Sequence, residues 1–185
     1  MKNKIYCLGL SRTGTTSLSD FLKEYGLNVI HYPTPMQLMG GAGDGASDIP
    51  VVPVYKDLDK MFRGSKFIHL VRDNWTDAVE PYFMRKYNRP HQGGWQLEIR
   101  QKVYGDVFWN RAKYNDAYNR HNDDVADYFS SRPDDLITLN VVGGDDPEKI
   151  IKFLGLKSKG VSFPKSNSRE KTWSNSQDTK LTKSI

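Results

Sequence analysis

The chain has 185 residues, 37% hydrophobic and 12% aromatic, enough for one domain with a core of its own. No run approaches the ~20 apolar residues of a membrane helix, and the single cysteine, Cys7, excludes an internal disulfide or a cysteine-based zinc cluster and fits a reducing, cytoplasmic setting. The formal charge of +5 favours anionic ligands, but the cations are interleaved with acids along the chain, which argues against nucleic acid as the partner.

The first segment, "KIYCLGL", is apolar, β-rich and stopped by glycine, which predicts a buried parallel strand containing an inert Cys7. It is too short an apolar run for a signal peptide. After "GLSRTGTTSL", the positions Leu18, Phe21, Leu22 and Tyr25 mark one face of a helix capped by Gly26. "LNVIHY" predicts a second strand ending at Pro33. The stretch "MGGAGDGASDIP" is so rich in glycine that it reads as a mobile loop with no regular element. "VYKDLDKMFRG" predicts a helix and "KFIHLVRD" the strongest strand in the chain. "NWTDAVEPYFMRKY" predicts a helix bent or limited by Pro81. Residues 94–131 are helical in character with a break at Gly105-Asp106. "DLITLNVV" is a further strand, and "DPEKIIKFLGL" a helix with Pro147 in its first turn and Gly155 as its cap.

Strands alternating with helices imply a parallel sheet covered on both faces, with ligands gathering at the carboxyl ends of the strands. The expected organisation is a single domain over 1–185, with a core of about 4–163 and a polar tail over about 164–185. The aromatics Trp95, Tyr104, Phe108, Trp109, Tyr114, Tyr118 and Tyr128 recur at helical spacings and read as core, with an apolar cleft wall for an acceptor as the alternative for some of them. His69 alternates with the apolar positions of its strand and reads as packed, His121 reads as a packing or hydrogen-bonding residue of its helix, His91 fits no pattern, and the acids Asp123, Asp124 and Asp127 read as a solvated helix face. The four histidines lack metal-ligand spacing, so no metal site is expected.

"GLSRTGTTSL" keeps the two glycines of a phosphate-binding P-loop, Gly9 and Gly14, but has Thr15 where a nucleoside triphosphatase needs its lysine. Thr15 cannot replace a long cation, and no other strand ends on a convincing acid for magnesium: "FIHLV" runs into Arg72 and "LITLNVV" into Gly143. The hydroxyls and N–H groups of Thr13, Thr15 and Thr16 suit one terminal phosphate at a helix N-terminus. Arg12, on the rim, is placed to reach past that phosphate to a group attached to it.

The loop resembles the 5′-phosphosulfate loop of sulfotransferases that use 3′-phosphoadenosine 5′-phosphosulfate (PAPS). "GSKFIHLVRDNWTDAV" is similar to that family's second signature, a strand ending in the arginine that binds the donor's 3′-phosphate, here Arg72. The stretches "SDIPV", "YKDLDKMFRGSKFIHLVRD", "YNRHNDDVADYF" and "FLGL…SFPKSNS" agree in order with a small bacterial-type branch, so that the resemblance covers roughly residues 4–168. It implies a P-loop NTPase-like α/β/α fold of sulfotransferase type. The donor would be held by Ser11, Arg12, Thr13, Gly14, Thr15, Thr16, Ser17 and Arg72, with Lys165 and Arg169 of the tail, and PAP (adenosine 3′,5′-bisphosphate) would be the product.

Two positions depart from the family pattern. Arginine stands in the loop where lysine is commonest, and Glu80 occupies the position of the 3′-phosphate serine, eight residues after Arg72. A carboxylate repels a phosphate unless it is protonated or turned away, so Lys86, Lys165, Arg169 or Lys171 would have to help. Asp48, in "SDIP", matches an acidic position of the branch and is the first candidate base; His31, at a strand end, is the second, and histidine chemistry suits the task. Trp75 and Trp173 are read as packing, with stacking on adenine as the alternative. The implied activity is transfer of a sulfuryl group to a hydroxyl or amine of a small-molecule or glycan acceptor, without a membrane partner. A non-catalytic anion-binding protein and an atypical P-loop kinase or hydrolase are the alternatives.

Overall fold

The structure, a computed structural model, describes residues 3–86 and 94–166. At its centre lies β1 (Ile5–Gly9), buried along its whole length as its apolar run predicts. The five parallel strands run in the order β2-β3-β1-β4-β5, with β2 Val29–His31, β3 Gly45–Ser47, β4 Lys66–Leu70 and β5 Leu136–Leu139.

Alternation along β1 divides the core into two layers. Ile5 and Cys7 face α1 (Thr15–Glu24) and α7 (Glu148–Leu154), meeting Leu18, Phe21, Leu22, Ile150 and Ile151. Tyr6 and Leu8 face α3 (Tyr55–Met61) and α6 (Arg111–Phe129), meeting Tyr55, Leu58, Val125 and Phe129. The result is the three-layer α/β/α arrangement around a parallel sheet that the strand–helix alternation predicts. A third cluster caps one end of the sheet. There α4 (Trp75–Lys86), α5 (Trp95–Tyr104) and α6 pack Trp75, Val79, Phe83, Tyr104 and Tyr114 against Leu10 and Ile49, just past the ends of β1 and β3. Pro81 sits inside α4 without ending it, and Gly105 closes α5 in the left-handed conformation.

The glycine-rich stretch is where the sequence reading fails. Residues 39–50 contain not a mobile loop but a buried strand, β3, hydrogen-bonded between β1 and β2. A Cβ added at Gly45 would stand 1.8 Å from the Ile5 carbonyl oxygen, so only glycine lets this strand lie so close to β1. Beneath α1, Ser47 and Ser19 share a buried hydrogen bond of 2.6 Å between their hydroxyls. Small residues here signal close backbone approach rather than freedom. The preceding helix α2 (Pro35–Met39) is closed by a capping box between Thr34 and Gln37. Among the described residues no helix is long and apolar enough to cross a membrane.

Candidate functional site

All five strands deliver a residue to one cleft at their carboxyl ends. Its volume is about 860 Å³, and its wall includes Arg12 beyond β1, His31 at the end of β2, Asp48 after β3, Arg72 after β4 and Val141 after β5. This is where an open parallel sheet binds its ligand.

The loop between β1 and α1 is rigid for identifiable reasons. A Cβ on Gly9 would meet Thr15 Cγ2 at 2.6 Å and Thr13 Oγ1 at 2.7 Å. Gly14 has φ of 104° and backs onto Val141, so the turn into α1 tolerates no side chain. Thr13 is fully buried, and both its N–H and its hydroxyl donate to the Leu10 carbonyl. Its hydroxyl is therefore turned into the loop rather than offered to a ligand, contrary to the sequence expectation; with the N–H it ties the turn to one carbonyl. Ser11 is braced by aromatics. Its N–H donates to Tyr104 Oη (3.1 Å), whose hydroxyl donates back to Ser11 Oγ (2.9 Å), while Trp75 Nε1 donates to its carbonyl (2.8 Å). Trp75 thus packs under the loop and stacks on Tyr118 at 4.7 Å, which assigns it the packing role. Gly14, Thr15, Thr16 and Ser17 line the cleft at the α1 N-terminus, together with Ser11.

The two arginines meet. Arg72 Nη1 donates to the Arg12 carbonyl at 2.8 Å, and both residues face the same cleft. Tyr118 locks the backbone of Arg72 by accepting from its N–H (2.8 Å) and donating to its carbonyl (3.0 Å). Burial, and then the charge of Arg12, pull the Arg72 guanidinium below its ordinary range. Arg12 itself adopts φ of 69° and lays its guanidinium over the Tyr82 ring at 5.3 Å. With Tyr32 (54°) and Asp48 (85°), three of the four described non-glycine residues with positive φ line this cleft. Strain of this kind persists only where the surrounding structure enforces it.

The two candidate bases also meet. His31 Nε2 lies 3.0 Å from Asp48 Oδ2, and the same nitrogen contacts Thr16 Oγ1 at 3.1 Å and Thr15 Oγ1 at 3.3 Å. Asp48 Oδ1 accepts from the Ile49 N–H at 2.8 Å, which fixes the carboxylate on the far side. Asp48 and His31 are thus one pair set against the phosphate-loop hydroxyls, rather than alternatives.

The α1 N-terminus with its hydroxyls, two arginines and an imidazole–carboxylate pair stand in one crevice. The family model described as the sulfotransferase domain matches residues 35–172. The chain belongs to that family. Among solved structures it is similar to mouse sulfotransferase SULT7A1 complexed with PAP, at 15% identity and a TM-score of 0.49. That likeness covers 86% of this chain and 61% of the mouse chain, so this chain spans about three fifths of its length. A search of curated proteins finds no match. The sulfotransferase-domain match begins after the phosphate loop and includes Asp48, Arg72 and Lys165.

Within this sulfotransferase domain, Glu80 is not part of the cleft wall. It accepts from Trp109 Nε1 (3.0 Å) and Arg111 Nη1 (2.8 Å), with Asp77 also paired to Arg111. Glu80, at the position of the family's donor-binding serine, is thus not placed to bind the donor; of the alternatives the sequence left, its carboxylate is turned away, taken by Trp109 and Arg111. Lys165 does line the cleft, beside Phe163, Pro164 and Ser166. Arg169, Lys171, Trp173, His91 and the side chain of Lys86 lie outside the described residues. His69 and His121 are buried in the layer between β4 and α6, as their pattern predicts. Two other readings change. Phe108 is exposed. Asp124 is not merely solvated, since it accepts from Tyr55 Oη (2.8 Å) and Lys56 Nζ (2.6 Å). Sequence reasoning missed Tyr104, Tyr82, Gln96 and Arg100 as cleft or loop-supporting residues. The recurrence of Gln96, Arg100 and Tyr104 every four residues was the available signal.

Proposed function

We propose that this domain transfers a sulfuryl group from PAPS to a hydroxyl or amine of an acceptor, releasing PAP. The observation that supports the reading is that Arg72, whose Nη1 donates to the Arg12 backbone carbonyl at 2.8 Å, and Arg12 line one cleft with the α1 N-terminus. The charge of Arg12 acts unfavourably on the Arg72 guanidinium in this partly buried cleft, and a bound phosphate relieves that repulsion. The N–H groups at the α1 N-terminus and the Thr15 and Thr16 hydroxyls supply a neutral cradle for the 5′-phosphate. Without a lysine, this cradle lacks the group that a triphosphatase uses to reach β- and γ-phosphates.

Chemically, the acceptor oxygen or nitrogen forms its bond to sulfur as the bond from sulfur to the phosphate oxygen breaks, and the electron pair leaves on that phosphate. Arg12 neutralises the charge that gathers on the departing oxygen. The imidazole–carboxylate pair takes the acceptor's proton: with Nε2–H given to Asp48 Oδ2 at 3.0 Å, His31 accepts that proton on Nδ1, and the carboxylate stabilises the resulting imidazolium. Thr15 and Thr16 contact the same Nε2, so engagement of their hydroxyls by phosphate leaves Nε2–H to Asp48 alone. Lys165, which also lines the cleft, would assist at the nucleotide's ribose end.

The test is release of PAP from radiolabelled PAPS with a panel of phenols, sugars and amines. Arg12→Ala is expected to lower turnover by ~10²–10³, or about 3–4 kcal/mol in the barrier, while only weakening PAP binding. Undiminished turnover in that variant would remove Arg12 from the mechanism.

A further inference from the structure

We propose that Tyr118 is a positioning residue: its hydroxyl holds Arg72 in place relative to the phosphate loop and so gives the cleft its preference for a nucleotide with a second phosphate over a monophosphate. The inference deepens the sulfuryl-transfer reading and rests on it, with Arg72 answering the donor's 3′-phosphate as the family signature implies. Arg72 lies beyond the sheet. β4 ends at Leu70, and the Val71 N–H still reaches the Leu139 carbonyl of β5 at 3.0 Å. At the next residue the Tyr118 hydroxyl takes over, accepting from the Arg72 N–H at 2.8 Å and donating to the Arg72 carbonyl at 3.0 Å. One hydroxyl thus serves both backbone groups of a residue that the strand ladder has left behind.

The ring that carries this hydroxyl is itself fixed. Tyr118, on α6, stacks on Trp75 with centroids 4.7 Å apart and planes 6° from parallel. Trp75 is buried, and its Nε1 donates to the Ser11 carbonyl at 2.8 Å. Its ring also stacks on Tyr104 at 6.2 Å, and the Tyr104 hydroxyl bridges the N–H and Oγ of Ser11. The polar tips of one aromatic stack therefore hold two separate places: the phosphate loop at Ser11 and the strand end at Arg72. Between β4 and the stack, Asn74 turns the chain into α4 with φ of 48°, a conformation that persists only where its surroundings enforce it. The separation of the two held places matters for one class of ligand. A nucleoside monophosphate needs the loop alone, whereas a 3′,5′-bisphosphate needs the loop and the Arg72 guanidinium together, in a charge-assisted contact that depends on geometry.

The test titrates PAP and adenosine 5′-monophosphate (AMP) calorimetrically into the full chain and reads the ratio of their affinities. Tyr118→Phe keeps the ring on Trp75 and removes only the hydroxyl. It is expected to lower PAP affinity roughly fivefold or more and to leave AMP affinity within about twofold of wild type, whereas a merely structural role would move both ligands together. In an Arg72→Ala background the same substitution should leave PAP affinity unchanged, because the residue it positions is gone. Should Tyr118→Phe melt, amide exchange in the wild-type chain decides: at saturation PAP is expected to slow the Arg72 amide more than AMP does, and the Ser11 amide equally. Failure of the wild-type chain to bind PAP would overturn the sulfuryl-transfer reading and this inference with it. PAP binding with an affinity ratio unchanged in Tyr118→Phe, a further loss in the Arg72→Ala background, or equal slowing of the Arg72 amide by both ligands would overturn this inference alone.

Discussion

Histidine occurs in two settings in this fold, on either side of the same sheet end. His31 stands at the mouth of the cleft, a third of its side chain exposed, with a carboxylate and two hydroxyls around one nitrogen. His69 and His121 face each other edge-on at 5.4 Å inside the buried layer between β4 and α6. There His69 Nε2 meets Asn122 Oδ1 at 3.0 Å, while His121 Nε2 has no hydrogen-bond partner among the described residues. Burial pulls the pKa of each of the inner pair down to about 4, with His69 adding to the effect on His121. The contrast separates two uses of one residue type. Access and a hydrogen-bonded carboxylate equip His31 to exchange a proton, whereas desolvation holds the inner pair neutral and makes them part of the packing.

That contrast breaks if the wrong histidine controls turnover. His31→Gln is expected to lower the rate by ~10²–10⁴, the usual worth of a positioned base, with PAP affinity little changed. Asp48→Asn should act in the same direction, while His69→Gln should leave the rate of the surviving folded protein near wild type. Rates from single-turnover assays, normalised to PAP-binding sites, make the comparison.

A pH series sharpens it. An ordinary histidine takes up its proton near pH ~6.5 in the unfolded chain, but His69 and His121 do so only near 4 in the folded one. Between those values the unfolded chain binds more protons, so stability is full above pH ~6.5 and is lost as pH falls toward about 4. The loss for the pair is expected to be on the order of a few kcal/mol, read from denaturant midpoints across that range. His121→Phe should flatten the acid limb by roughly half, since one of the two groups no longer titrates.

Two smaller effects test the phosphate loop. Gly14→Ala must hold φ of 104° and meet Val141 at 3.2 Å, so a cost of about 1–3 kcal/mol is expected, with PAP binding lost before the fold is. Tyr104→Phe removes the hydroxyl that bridges Ser11 N and Oγ, and should cost ~1 kcal/mol with a modest fall in PAP affinity.

The sheet and its covering helices were legible because their signals are local. The apolar run of β1, the face formed by Leu18, Phe21 and Leu22, and the glycine after α7 each state their own structure. β3 was not legible, because Gly45 is required by the backbone of Ile5, a partner forty residues away. The site divides in the same way. Arg12, Thr15, Thr16 and Arg72 sit in motifs whose spacing carries their chemistry. The joining of His31 to Asp48, the inward turn of Thr13, and the capture of Glu80 by Trp109 and Arg111 depend on which elements pack together. Sequence spacing does not encode those meetings.

The most direct test of a lysine-less loop that holds a sulfated nucleotide between two arginines is a calorimetric titration of PAP, without magnesium, into wild type, Arg12→Ala and Arg72→Ala. The account predicts one saturable site per chain, weakened roughly tenfold or more in each variant as a charge-assisted contact is lost. Absence of binding, affinity indifferent to both arginines, or preferential binding of ATP with magnesium would contradict it.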